Sequence, residues 1–252
     1  MTNRKDDWNV HWDALSDAAL VNPAQNYRFH LIQEELSLFK NLSEKLVVID
    51  LGCGSGDLIH QLSEKFGEYE LIGIEPSASG SRISKLKNSK TEIIQSDITK
   101  DALSDVALSR ADVVICTEVL EHLDNPIELM SALSSKIGVG TKILLTVPGG
   151  PRSKFDIYIG HRRHFSKRRL LGLLVENGFT NVEVSRAGFP GHNIYKSLTI
   201  LMGNKLISSS HDFQKTARFT LASDVFYWLM VRSFKNSIFG WQLIAVSEKG
   251  IE

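Results

Sequence analysis

Cysteine is nearly absent: Cys53 and Cys116 are the only two in 252 residues. Two thiols exclude a disulfide framework, and no Cys-x-x-Cys pair offers a zinc quartet. No metal ligand set is expected, both cysteines read as packing residues, and a reducing, cytoplasmic setting follows. A long apolar run is missing as well. The longest apolar stretch free of Asp, Glu, Lys and Arg is Asn236–Ser247, well short of the roughly 18 residues a membrane helix needs. That excludes a membrane span and leaves peripheral contact with a membrane open. Met1–Asp7 is polar and has no apolar h-region, so no signal peptide is expected. An excess of one charge sign is lacking too: 29 basic and 29 acidic residues cancel. With no RNA-binding signature either, no nucleic-acid partner is expected. No repeat or low-complexity tract occurs. With 42% apolar and 23% charged residues, disorder, collagen and coiled coil are poor readings. The length suits about one large domain or two small ones.

What is present is unevenly distributed. Residues 1–149 hold 14 Lys/Arg against 22 Asp/Glu, and residues 150–252 hold 15 against 7. The two parts are net −8 and net +8, which suits different tasks. Short β-branched runs alternate with helical patterns. Leu46–Asp50, Glu70–Glu75, Glu92–Asp97, Ala111–Cys116 and Lys142–Val147 read as strands. Their near-continuous Val/Ile/Leu content predicts a sheet covered on both faces, as parallel sheets are. Asp57–Phe66 and Asn125–Lys136 read as helices between them. Ser166 caps a helix that runs to Asn177 and stops at Gly178. Asn181–Ala187 and Gln242–Ser247 read as a sixth and a seventh strand. The expectation is an α/β fold with a doubly wound, mostly parallel seven-stranded sheet. About fifty residues separate the last two strands, too many for a plain connection. Their helical segments, Ile194–Met202 and Leu221–Val231, form either a substrate-facing cap or a helix pair packed on the core.

Three strands end in an acid: Asp50, Glu75 and Asp97. Open α/β sheets bind ligands at the carboxyl ends of their strands, although a single carboxylate there equally well caps a helix or turn. Asp50-Leu51-Gly52-Cys53-Gly54-Ser55-Gly56 carries a strand into a glycine-rich turn and then a helix. Glycines there permit φ > 0 and close backbone approach by a ligand, and N–H groups at the helix start face its polar atoms. The spacing is Gly-x-Gly-x-Gly, not the Gly-x-Gly-x-x-Gly of a dinucleotide site. Glu75 follows where an acid reaches a ribose diol, and Glu118-Val119-Leu120-Glu121-His122 follows the fourth strand.

In kind, order and spacing, these segments resemble the class I S-adenosylmethionine (SAM)-dependent methyltransferases, a Rossmann-like fold. The likeness is greatest to the small-molecule branch that includes the ubiquinone-type O-methyltransferases. It covers roughly residues 20–188 and says little about the acceptor. The resemblance implies SAM as cofactor. Gly52, Gly54 and Gly56 would approach its methionine part and Asp50 its amino group. Glu75 would hold the ribose, Asp97 and Ile98 the adenine, and Glu118 and Val119 the floor near the sulfonium. Arg28, in the segment Asn22–Arg28, would pair with the methionyl carboxylate, as a guanidinium does well; otherwise it belongs to a solvated helix face. The implied organisation is a helical segment over the cofactor (1–40), an α/β core (41–188), a helical insertion facing the acceptor (189–239) and a final strand (240–252).

Arg152 to Arg169 holds two histidines and seven Lys/Arg against one acid, beyond the carboxyl end of the fifth strand. It reads as a pocket for an anionic acceptor with Tyr158, Arg162 and Arg163 as contacts, as a surface for an acidic membrane, or as a solvated basic face. Transfer to a hydroxyl benefits from a general base, with His161 first, then His164 and His122. His122 follows Glu118 by one helical turn, so both should share a helix face; it is either a pocket wall or a structural histidine. The acceptor is expected to be small: a sugar or polysaccharide precursor, or a phenolic or isoprenoid compound. Two rivals stand beside this reading: a SAM-binding subunit without activity, and an NAD-dependent oxidoreductase, against which the glycine spacing argues. The oligomeric state is not legible.

Overall fold

The computed structural model describes residues 7–39, 45–203 and 217–251. Met1–Asp6, the expected boundary at 40/41, the middle of the 189–239 segment and Glu252 lie outside them. Two helices, α1 (Trp8–Leu20) and α2 (Pro23–Leu38), precede β1 (Val47–Leu51). Next come α3 (Asp57–Lys65), β2 (Glu70–Ile74), α4 (Ala78–Lys87), β3 (Glu92–Ile94), α5 (Asp105–Ser109), β4 (Val113–Thr117), α6 (Pro126–Lys136) and β5 (Lys142–Pro148). The chain ends through α7 (Lys154–Tyr158), α8 (Lys167–Glu176), β6 (Phe179–Ala187), α9 (Gly191–Leu201), α10 (Ala217–Val231) and β7 (Gln242–Lys249).

Among the described residues the strands form one seven-stranded sheet in the order β3-β2-β1-β4-β5-β7-β6. β1 to β5 pair in parallel, and β7 runs antiparallel between β5 and β6. This is the doubly wound, mostly parallel sheet expected from the sequence. Strand order reverses between β1 and β4, where such sheets open a ligand crevice at their carboxyl ends.

Successive strand residues point to opposite faces, and here both faces are apolar. Ile49, Val114, Cys116, Ile143 and Leu145 pack on one side with Met130 and Leu133 of α6 and Leu170 and Leu174 of α8. Val48, Val113, Ile115 and Leu144 pack on the other with Ile32 and Leu36 of α2 and Leu58 and Leu62 of α3. Each such aliphatic side chain contributes roughly 1.5–3 kcal/mol by leaving water. Both cysteines are buried and free. Met230 of α10 is fully buried in the second layer, and α10 packs along α2. α9 instead borders the cleft described below.

Several boundaries differ from the sequence reading. β3 stops at Ile94, because Ser96 Oγ and the Asp97 N–H turn aside to donate to the Asp101 carboxylate. Asp97 therefore lies beyond the strand, in a loop. β6 begins at Phe179 rather than Asn181, since buried Phe179 anchors it and a register shift between Thr180 and Glu183 absorbs Asn181 at φ 50°. The expected helix through Glu118 and His122 is a turn instead, with the His122 N–H donating to the Val119 carbonyl at 3.1 Å.

Candidate active site

The glycine turn joins β1 to α3. The N–H groups of Gly52 and Cys53 both donate to the Ile74 carbonyl, at 2.7 and 3.1 Å, which fixes the turn to the end of β2. Gly52, Gly54 and Gly56 all have left-handed φ, at 78°, 54° and 75°, where a side chain is strained. Space forbids one as well. A Cβ on Gly52 would lie 2.6 Å from Val119 Cγ2, and one on Gly54 2.3 Å from the Trp12 ring. Trp12 belongs to α1, which therefore lies directly on the turn. Asn9 and Asp13 tie α1 to Ser79 and Arg82 of α4.

Beside the turn is a cavity of about 310 Å³ bordered by Trp8, Trp12, Glu75, Asp97, Ile98 and Val119. Glu75 is buried and already accepts hydrogen bonds. Its Oε2 takes the Gly54 N–H at 2.9 Å, and its Oε1 takes the Ser77 N–H at 2.9 Å and hydroxyl at 2.5 Å. Burial raises its pKa, and these donors oppose the rise. Asp97 accepts from the Thr99 N–H and hydroxyl and from Lys100. Burial acts to raise its pKa, but these contacts outweigh it and hold the carboxyl below its ordinary value.

A second cavity, of about 330 Å³, continues on the other side of Glu118. Its border includes Arg28, Asp50, His161, Tyr195 and Lys196. The Asn22 side chain caps α2 by accepting from the Ala24 and Gln25 N–H groups, with Pro23 pre-set for the first turn. That start places Arg28 at the cleft, its Nε 3.7 Å from Glu118 Oε2. Asp50 is 3% exposed, and its Oδ1 has no hydrogen-bond partner. Burial and, secondarily, the Glu75 charge push its pKa up to about 7. Glu118 borders both cavities. It has φ 53°, strained for a residue with a Cβ, and accepts from Gln242 Nε2 at 2.9 Å.

Beneath Glu118 lies a histidine-rich floor. Glu121 is fully buried with neither carboxylate oxygen hydrogen-bonded, and burial drives its pKa well up. His122 Nε2 is 3.9 Å from Glu121 Oε1. The His122 ring meets Trp8 and His161 edge-on, with centroids 4.7 and 4.6 Å away. His161 Nδ1 lies 3.2 Å from His164 Nε2, which lies 3.7 Å from Asp156 Oδ2. Asp156 also pairs with Lys196 of α9 and closes a capping box with Ser153. Burial lowers His122 to about 3 and drives His161 far down, so both rings are neutral near pH 7. Two groupings present donor atoms within 4.8 Å of one another: Glu121, His122 and His161, and Asp156, His161 and His164. No metal ligand was expected from the sequence; both groupings have the N/O chemistry to hold a divalent cation.

The structure therefore gathers Arg28, Asp50, Glu118, His122 and His161 around one cleft, with Glu75, Asp97, Ile98 and Val119 in the adjoining cavity. It does not bring Tyr158, Arg162 or Arg163 there, nor His164, which stands behind His161. Arg162 Nε donates to the His122 carbonyl at 2.6 Å and its guanidinium pairs with Asp124. Arg163 donates to the Leu123 and Asp124 carbonyls. These arginines brace the turn after β4, because its exposed carbonyls need donors. The sequence reading missed Trp8 and Trp12, although two tryptophans four apart in a polar segment share a helix face. It also missed Tyr195, Lys196 and Gln242, for which no local signal exists.

A family model described as a methyltransferase domain matches residues 24–184. Among curated proteins, the chain is similar to the ubiquinone biosynthesis O-methyltransferase of Leptothrix cholodnii. They are 26% identical over 151 residues, covering 59% of this chain and 63% of that protein. The protein of that name from Stutzerimonas stutzeri is 29% identical over 151 residues, covering 59% and 62%. The matched part is thus less than two thirds of either relative. Among solved structures, the plantazolicin methyltransferase BamL, in complex with a desmethylPZN analog and SAH, superposes with a TM-score of 0.60. It is 16% identical and covers 99% of this chain and 92% of its own. Phosphoethanolamine N-methyltransferase 2 of Haemonchus contortus, in complex with SAM, gives a TM-score of 0.54. It is 12% identical and covers 91% and 58%. At these identities the structural likeness concerns the fold.

Proposed function

The chain belongs to the methyltransferase-domain family, and on that premise we propose that it transfers a methyl group from SAM to an oxygen or nitrogen of a small acceptor. One observation carries the reading: two cavities meet at Glu118, one beside the glycine turn and one walled by neutral histidines. The residues fit the cofactor. Asp50 Oδ1, buried and without a partner, matches an ammonium donor. Glu75 and Asp97 are acceptor-only carboxylates and match ribose hydroxyls and an adenine amine through their remaining lone pairs. Arg28 suits a carboxylate, and the backbone of Gly52 borders both cavities, while the Trp12 ring covers Gly54. Bound there, SAM would supply a methyl group on a sulfonium whose thioether leaves without assistance.

The chain's own task is then to orient the acceptor. Phe29, Phe155, Tyr195 and Trp241 border the second cavity, and their apolar faces favour a phenolic or other ring-bearing acceptor. A strongly anionic acceptor is less well served. Lys196 is already neutralised by Asp156, and Arg162 and Arg163 are committed to the turn. His161 lines the cleft and contacts His164, which leads toward Asp156; burial drives its pKa far down and disfavours its protonated form, so the ring serves to orient the acceptor and not to hold its proton. Titration calorimetry with SAM, its demethylated product and NAD tests the cofactor: heat is expected from the first two and none from NAD. Turnover of catechols or other phenols, and not of sugar nucleotides, supports the acceptor class. SAM binding with no turnover on either class favours the inactive-subunit reading.

A second reading of the same floor rests on Glu121. Burial drives the Glu121 pKa well up and favours its neutral acid; a divalent cation held with His122 and His161 would displace that proton and pair with the carboxylate. That cation would lower the pKa of a bound acceptor hydroxyl. Loss of activity on chelation, restored by Mg²⁺, Mn²⁺ or Zn²⁺, supports it. Equal activity in the metal-free protein removes it.

A further inference from the structure

We propose that Glu118, held in place by Gln242, is the group by which the protein distinguishes the cationic cofactor from its demethylated product. This rests on the methyl-transfer reading above and adds to it a specificity-determining carboxylate and the residue that positions it.

The two cavities share five bordering residues: Trp8, Trp12, Gly52, Glu118 and His122. In SAM the sulfur joins the adenosine to the methionine tail. With the adenosine beside Glu75 and Asp97 and the tail toward Arg28 and Asp50, the sulfur has to pass where the cavities meet. Of the five residues there, Glu118 alone brings a charge, since burial lowers the His122 pKa to about 3 and keeps that ring neutral. The charges also match. The tail and sulfonium of SAM carry one negative and two positive charges, and Arg28, Asp50 and Glu118 offer the opposite set. Other charged side chains at the second cavity are paired already, Asp57 with Lys87 and Asp156 with Lys196. Arg28 answers the carboxylate and Asp50 the ammonium, which leaves Glu118 for the sulfonium. Methyl transfer breaks the S–CH3 bond and leaves its electron pair on sulfur. The product is therefore neutral there, and Glu118 loses its counterpart.

Glu118 is held from two sides. Its N–H donates to the Thr146 carbonyl at 2.9 Å, and its φ of 53° is a conformation that persists only where the surroundings fix it. Gln242 holds the side chain. It is 1% exposed at the start of β7. Its Nε2 donates to Glu118 Oε1 at 2.9 Å and to the Val147 carbonyl at 3.0 Å. Turning this amide over would set its oxygen against two acceptors, so only the nitrogen fits there. Glu118 Oε2 faces Arg28, whose Nε stands 3.7 Å away, beyond hydrogen-bond length. A ligand carboxylate that takes Arg28 frees this oxygen for the sulfonium.

Titration calorimetry on the full chain with SAM and with its demethylated product tests this in the wild type, Gln242→Met and Glu118→Gln. The ratio of the two affinities is the readout, because a fault in folding or in pocket shape weakens both ligands alike. Each variant is expected to weaken SAM roughly tenfold and the product less than about threefold. The double variant should go no further than Glu118→Gln alone, since Gln242 acts through Glu118. Thermal midpoints are taken alongside, and if Gln242→Met does not fold, the ratio in Glu118→Gln decides. Wild-type binding of both ligands with an unchanged ratio in the variants overturns the proposal and leaves the methyl-transfer reading standing. Wild-type binding of neither ligand overturns that reading, and this proposal with it.

Discussion

Gly54 sits at φ 54° with the Trp12 ring where its side chain would be. Gly54→Ala therefore brings left-handed strain of about 1–2 kcal/mol and displaces the Trp12 ring. SAM affinity is expected to fall at least tenfold by calorimetry, and unchanged affinity would remove the turn from the site. Asp50 gives a pH signature. Its carboxyl is raised to about 7, by burial first and by Glu75 second. The native state thus binds this proton more tightly than the unfolded chain. The associated stability is full below the ordinary value of 3.8 and is lost as pH rises through about 7. An ammonium ligand prefers the charged carboxylate, so SAM affinity should rise as pH rises through about 7, with a proton released on binding at lower pH. Calorimetry in buffers of different ionisation enthalpy measures that proton, and Asp50→Asn should abolish it.

At the scale of elements, the turn from Glu118 to Asp124 is the shared part. It follows β4, borders both cavities and contains three of the site side chains, yet it has no helical hydrogen-bond ladder of its own. Arg162 and Arg163 supply the donors that hold it. Replacing both with Ala should therefore loosen the floor of the cavity beside the glycine turn, where His122, Leu123 and Asp124 sit. Weaker SAM binding is expected, and not merely a higher acceptor KM. Intact SAM affinity with a raised KM would return these arginines to the acceptor pocket. The amphipathic stripes of α9 and α10 show the same lesson in reverse. Their spacing was readable as helix, but which stripe meets the core and which meets the cleft or solvent depends on where α2 lies.

For the whole molecule, the cleft draws on the N-terminal helices, the α/β core and the insertion, so the three parts should unfold together. The join between insertion and sheet is tight at Gly240, where a Cβ would lie 2.5 Å from the Ala187 carbonyl oxygen and 2.8 Å from its nitrogen. Backbone cannot give way as a side chain can. Gly240→Ala should lower stability by about 1–3 kcal/mol in a single denaturant transition, and a neutral effect would show the join to be loose. The alternating strands, the glycine turn and the acids Asp50 and Glu75 were legible in the sequence alone. Each rests on local chemistry: β-branched runs that must be covered on both faces, a backbone geometry only glycine allows, and carboxylates at strand ends. The strand order, the helix-free turn at Glu118, the diversion of Arg162 and Arg163 to carbonyls, and the meeting of His122, His161, Asp156 and Lys196 were decided only by the tertiary structure. These are contacts between residues some forty positions apart, and a sequence pattern carries spacing along the chain, not the packing that brings its ends into one cleft.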